Sequence, residues 1–234
     1  MCGRYVSTAT PEELAGEYQV DEVVVDEPLP PRWNVAPTQE VYVVAAKRVP
    51  APGRQLGTMR WGLVPSWAQS PAVGARMINA RAETVATRPA FRSALRRRRC
   101  VIPADGFWEW QAGTGRKQPY AIRRRRGGTL AFAGLWEVWR DPAGQPGDPG
   151  GGLRSAAIVT TEANRALAHV HGRMPVVLDG PGVERWLDQE VEDPDLLVAL
   201  LVPAPDEGWE AWPVSTRVNS VANDGPDLLE PVAG

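Results

Sequence analysis

The sequence predicts a strand-rich α+β fold in a single domain. Its 23 Pro and 23 Gly are scattered between short apolar runs rather than gathered into one linker, which is the texture of strands joined by many turns. No internal repeat and no regular alternation of strand and helix patterns is present, so a parallel α/β sheet is excluded. With 234 residues, 43% of them hydrophobic, the chain is long enough to bury a sizeable core.

The elements follow in order. Thr10-Pro11-Glu12-Glu13 opens a helix, with Thr10 as N-cap, Pro11 at the first helical position, Glu13 closing a capping box, and Leu14 and Tyr18 on one face. The acidic, proline-rich stretch 21–31 leads into Arg32-Trp33-Asn34-Val35-Ala36-Pro37, and residues 41–46 form a strand by their β-branched and aromatic content. Residues 58–67 begin as a strand and turn at Gly62 and Pro65; residues 78–92 read as short helical pieces around Pro89. Residues 100–102, 107–110, 120–125, 130–139 and 156–161 are further strands between turns, which include a low-complexity loop over 141–152. Residues 183–187 have helical spacing, Asp193-Pro194 caps a helix over 195–201, and 211–216 is the last strand.

Lys and Arg total 26 against 28 Asp and Glu, a formal charge of −2, so no global field draws the chain to nucleic acid and phosphate binding requires a local patch. The arginine runs 96–99 and 123–126 read as solvated faces. The start, MCGRYVSTAT, lacks the basic and apolar regions of a secretory signal, and no apolar run approaches bilayer length. The expectation is a cytoplasmic, monomeric protein, with Cys2 and Cys100 as free thiols. Two His and two Cys without C-x-x-C or H-E-x-x-H spacing give no basis for a metal site, and no cofactor is expected.

A few residues carry chemistry. Removal of Met1, favoured by the small side chain that follows it, makes Cys2 N-terminal and creates a 1,2-aminothiol. An aldehyde condenses with such an amine to an imine, and the thiol then closes a five-membered thiazolidine, helped by intramolecular proximity. Taken alone, a Cys at position 2 is also simply incidental. Glu109 in Phe107-Trp108-Glu109-Trp110 is either a general acid or base among aromatics or a solvated strand residue between two core Trp. His169 and His171 are the only histidines; one of them is a candidate for proton transfer, and the plain alternative is a structural role. Asn79 is either a helix N-terminal residue or an amide that orients a reacting group. The ten Trp are for the most part core packing.

Together, in this order, these segments resemble the SOS response-associated peptidase (SRAP) family of abasic-site sensors. The likeness spans nearly the whole chain: MCGRY at the start, RWNVAP at 32–37, MRWGLVPSW at 59–67, INARAET at 78–84, CVIPADGFWEW at 100–110, HGRMP at 171–175 and PVSTRVN at 213–219. His169 matches nothing in the histidine motif.

The resemblance implies a partly closed β-barrel-like core with short peripheral helices and a groove for single-stranded DNA containing abasic sites. It assigns the nucleophile to Cys2, the positioning amide to Asn79, the acid/base carboxyl to Glu109 and the histidine to His171. It also gives physical sense to Arg4, Arg81 and Arg173 as dispersed phosphate contacts, to Asn34 and Trp110 as further DNA contacts, and to Trp67 as a stacking or wedging residue. The implied activity is a covalent thiazolidine crosslink that shields the lesion from strand cleavage, with localisation to the nucleoid on damaged DNA. Two rivals remain: an N-terminal-nucleophile cysteine peptidase or amidohydrolase built on the same thiol, and a non-covalent single-strand binder in which Cys2 is incidental.

Overall fold

The computed structural model describes residues 2–47, 53–113, 115–144 and 152–232. Met1 and most of the expected low-complexity loop lie outside these residues. The first half contains β1 (Arg4–Ser7), α1 (Pro11–Glu17), β2 (Glu22–Val23), β3 (Arg32–Val35), β4 (Glu40–Lys47), β5 (Gly53–Trp61), β6 (Asn79–Arg81), α2 (Arg92–Arg97), β7 (Arg99–Ala104) and β8 (Gly106–Gln111). The second contains β9 (Gln118–Arg124), β10 (Leu130–Trp139), β11 (Leu153–Glu162), β12 (Arg173–Pro175), β13 (Val177–Leu178), α3 (Gly180–Leu187), α4 (Pro194–Val198) and β14 (Trp209–Pro213).

Five strands close on themselves. β5, β4, β7, β10 and β11 pair antiparallel in that order, and a parallel pairing of β11 with β5, through Ser155↔Arg60 and Ala156↔Trp61, completes the ring. Closure leaves these central strands without free edges. Around the ring, β2 extends β5, and β6, β12 and β13 extend β11 and β10. The expected barrel-like, strand-rich α+β fold is therefore present, with the barrel fully closed.

A second, antiparallel sheet has the order β14-β9-β8-β1-β3. It packs on the barrel through a shared apolar layer in which Tyr5 meets Trp61 and Phe132 edge-on, at 5.2 and 6.1 Å between ring centres. Alternation along β4 explains why one strand serves two layers. Val41 and Val43 face this second sheet, whereas Tyr42 and Val44 join the helices through Leu14, Leu95 and Trp186.

Local signals hold where the chain is self-sufficient. Thr10 caps α1 with both capping-box bonds, and Leu14 and Tyr18 are buried together as expected. Gly62, predicted to turn the chain, sits at φ +128°, and an added Cβ would lie 2.6 Å from Gly74 O.

Tertiary pairing overrides local preference elsewhere. Residues 79–81, expected to be helical, form β6 because β11 offers a parallel ladder through Ile158↔Asn79 and Thr160↔Arg81. The helical reading of Asn79 is thereby overturned. α4 ends at Val198 instead of Leu201, and the last strand stops at Pro213. Arg99, expected on a solvated face, is fully buried; its guanidinium donates to the carbonyls of Leu95, Arg96, Trp186 and Asp188, which ties the ends of α2 and α3 to β7. Among the described residues no helix is long and apolar enough to cross a membrane.

Candidate functional site

Cys2 is fully buried where the second sheet meets the barrel. The antiparallel register that sets Arg4 opposite Trp108 carries Cys2 towards the Glu109–Trp110 end of β8. Burial, and after it the negative charge of Glu109, push the Cys2 thiol well above its ordinary pKa, so sulfur is protonated at neutral pH. From β6, Asn79 Nδ2 donates to Cys2 O at 2.8 Å, while Asn79 Oδ1 is buried with no protein partner among the described residues. What the site grips is thus the main chain of Cys2.

Glu109 is 3% exposed, and Oε1 accepts from Trp110 N at 3.2 Å. Its other oxygen lies 4.0 Å from His171 Nδ1, beyond direct hydrogen bonding and wide enough for a bridging group. Arg173 N donates to His171 Nδ1 at 3.0 Å, which fixes the plane of the ring. The His171 loop is held from β8: Gln111 Nε2 donates to His169 O at 2.7 Å, and Tyr120 OH donates to Gln111 Oε1 at 3.3 Å while its ring meets His169 edge-on.

A concavity of about 460 Å³ lies over Glu109, Trp110, Lys117 and His171. A larger one, about 690 Å³, is lined by Gln19, Arg54 and Glu184 but contains none of these groups and is crossed by the Arg54–Glu184 ion pair. Chemistry, not size, selects the smaller.

The structure thus groups Cys2, Asn79, Glu109 and His171: Asn79 bonds Cys2, the charge of Glu109 acts on the Cys2 thiol, and His171 stands 4.0 Å from Glu109. Arg4 and Arg173 border this group, but each is already engaged. Arg4 donates to Asn34 Oδ1 (2.8 Å), Val218 O (2.9 Å) and Asn219 O (3.2 Å). Arg173 pairs with Glu83 and donates to Thr160 O at 2.7 Å, and its hydrogen bond holds the Glu83 carboxyl below its usual range. Arg81 is exposed on β6, Trp67 is 59% exposed, and Trp110 is half-buried with Nε1 donating to Asn219 Oδ1 at 2.8 Å.

Asn34 lies deeper than its expected role implies. Expected at the DNA, it is fully buried, and its amide donates to Val218 O, Ser220 O and Asn223 O. Its donors are spent on fastening the 218–224 segment, on which Arg4 and Trp110 also rest.

Sequence reasoning missed Lys117, Gln111, Tyr120 and Asn219. Gln111 carried a signal, since in a strand it shares a face with Glu109. Asn219 lay at the end of a quoted motif without a role.

The class these features define is a strand-rich α+β protein built around a closed barrel, with a thiol, a carboxylate and an imidazole gathered at one junction. Residues 1–221 match the family model described as SOS response associated peptidase (SRAP), and the chain belongs to that family. It is 37% identical over 231 residues to "Abasic site processing protein YoqW" of Bacillus subtilis (strain 168), covering 98% of this chain and 99% of that one. It is 31% identical over 239 residues to "Abasic site processing protein YedK" of Escherichia coli (strain K12), covering 99% and 100%. A crystal structure of a protein from Bacteroides thetaiotaomicron superposes with a TM-score of 0.82 at 22% identity, covering 99% of this chain and all of that one, and shows the same fold.

Proposed function

We propose that this chain processes abasic sites in single-stranded DNA by linking itself to them through Cys2. Relatives named as abasic site processing proteins align over essentially its whole length, which supports the substrate class. The Asn79–Cys2 hydrogen bond carries the chemistry. It fixes the backbone of Cys2, the part that bears the α-nitrogen, and leaves Asn79 Oδ1 available to an amine.

Met1 must first be removed. The open-chain deoxyribose aldehyde and the Cys2 amine then form an imine with loss of water, Glu109 and His171 relaying the protons of ring opening and dehydration. The Cys2 S–H adds across C=N: sulfur bonds to carbon, the proton passes to nitrogen, and a thiazolidine closes. Closure removes the imine from which β-elimination would cleave the strand. Arg81 and Arg173 contact phosphates, and Trp67 and Trp110 provide aromatic faces.

Burial of the thiol favours this order over a peptidase mechanism. A cysteine peptidase attacks first as thiolate, which burial and Glu109 oppose; here the amine attacks first and sulfur adds as a thiol to an activated imine.

The test is intact-mass analysis after mixing the protein with an abasic oligonucleotide. The expected product is a stoichiometric adduct, at the mass of chain lacking Met1 plus DNA minus one water. An unchanged yield from Cys2→Ala, or multiple turnover with no adduct, would refute the reading.

A further inference from the structure

We propose that Arg88, Arg92 and Arg96 form a second phosphate-binding surface, a track for the backbone of the DNA that flanks the lesion. The proposal rests on the DNA-processing reading above and extends it to a part of the molecule that the Cys2 chemistry does not use.

The three arginines are exposed and four residues apart. Arg88 N donates to Thr84 O at 3.0 Å and Arg92 N to Arg88 O at 2.9 Å, so helical turns lead into α2 despite Pro89. Arg92 and Arg96, four apart within α2, are about 5–6 Å from one another at Cβ, comparable to the separation of successive phosphates on a strand, and Arg88 stands in the turn that leads into the helix. The opposite face, Phe91, Ala94 and Leu95, is buried in the core, which holds the row in a fixed orientation.

Charge pairing separates these residues from their neighbours. Arg97 meets Glu192 at 3.6 Å and Arg98 meets Glu137 at 2.7 Å. Arg32, Arg54, Arg123, Arg165, Arg173 and Arg217 likewise each meet a carboxylate. Arg88, Arg92 and Arg96 have no acidic partner among the described residues, a feature they share with other exposed arginines such as Arg76 and Arg185 but combine with a place in one row. In a chain of net charge −2, an unneutralised row of one sign complements a polyanion. Arg92 and Arg96 also line a concavity of about 460 Å³ with Ala86, Ser93, Arg97 and Arg98.

The row follows in sequence a residue that holds the site's Arg173. Glu83 holds Arg173, two residues beyond His171, and Thr84, the next residue, starts the turn that ends at Arg88. The spacing along the row and its single sign of charge favour a nucleic-acid backbone over an acidic protein segment.

The test compares the native chain with the triple variant Arg88→Gln, Arg92→Gln, Arg96→Gln, whose side chains are exposed and outside the Cys2 cluster. Equilibrium binding is measured against salt for intact strands with no abasic site, with either a single-stranded or a duplex flank. Adduct yield is measured separately on a short abasic oligonucleotide. The expected result is an unchanged short-oligonucleotide yield, about tenfold weaker binding to a flanked strand at low salt, and a slope of log K against log salt reduced by about 2–3 for three lost phosphate contacts. The flank that shows the loss identifies which form lies on the track. Equal slopes for both proteins on both flanks overturn the proposal, as does a variant defect confined to binding of polyglutamate. No adduct from the native chain would overturn the crosslinking reading instead, and the salt slopes would still decide the track.

Discussion

Asn79 Nδ2 donates to Cys2 O at 2.8 Å across 77 residues of sequence, joining an outer strand of the barrel to the segment that leads into the second sheet. A neutral hydrogen bond of this kind contributes about 1 kcal/mol, more when a buried partner is left unsatisfied. Asn79→Ala is therefore expected to slow adduct formation by about tenfold with little change in affinity for intact strands. Asn79→Asp, which offers Cys2 O no donor, is expected to be at least as slow. Single-turnover rates on an abasic oligonucleotide check both, and wild-type rates in either variant would remove Asn79 from the mechanism.

Alkaline pH should destabilise the fold. Burial raises Cys2 and Cys100 above the ordinary thiol value of 9.0, and Tyr5 and Tyr18 above the phenol value of 10.0. The folded chain keeps these protons to higher pH than the unfolded chain does. Their contribution is complete below about pH 9 and is lost as pH climbs towards the raised folded values, by about 1.4 kcal/mol per pH unit for each thiol. Urea unfolding between pH 8 and pH 11 should show the fall, and Cys100→Ala should reduce its initial slope by about half.

Gln111 acts as a positioning residue. By holding His169 O from β8, it fixes the loop that sets His171 over Glu109. Gln111→Leu is expected to leave strand affinity within about twofold while slowing adduct formation by about fivefold, the equivalent of one ordinary hydrogen bond. The pH–rate profile should also move. Tyr120→Phe, which removes only the support to Gln111, should have a smaller effect. Equal losses of affinity and rate would point to a general structural role instead.

Arg99 is the most exposed to mutational damage of the buried polar groups. Replacing it with Met leaves four carbonyls at the ends of α2 and α3 without their donor. The expected cost is about 3–5 kcal/mol, read from the denaturant midpoint at constant slope. A change under about 1 kcal/mol would show that water or backbone movement replaces the guanidinium.

Several parts of this architecture were legible beforehand because their causes are local. The capping box at Thr10, the turn at Gly62 and the apolar run of β10 are decided by residues within a few positions of one another. Residues 79–81 were misread because their strand exists only through β11, some eighty residues downstream. Arg99 and Asn34 were misplaced for a related reason. Polar side chains are expected at the surface unless their partners are known, and theirs are carbonyls supplied by distant segments.

The sequence by itself determined the strand-rich α+β class and the membership that its ordered motifs announce, and it nominated the thiol, carboxylate, amide and imidazole as candidates. Only the tertiary structure decided that the barrel closes, that Asn79 grips the backbone of Cys2, and that Glu109 stands 4.0 Å from His171 with room for a group between them. It also decided which arginines are already neutralised and which remain open to a phosphate. Residue identity fixes what a group can do chemically; pKa, orientation and charge compensation are set by groups remote in sequence, and they come into existence only when the chain folds.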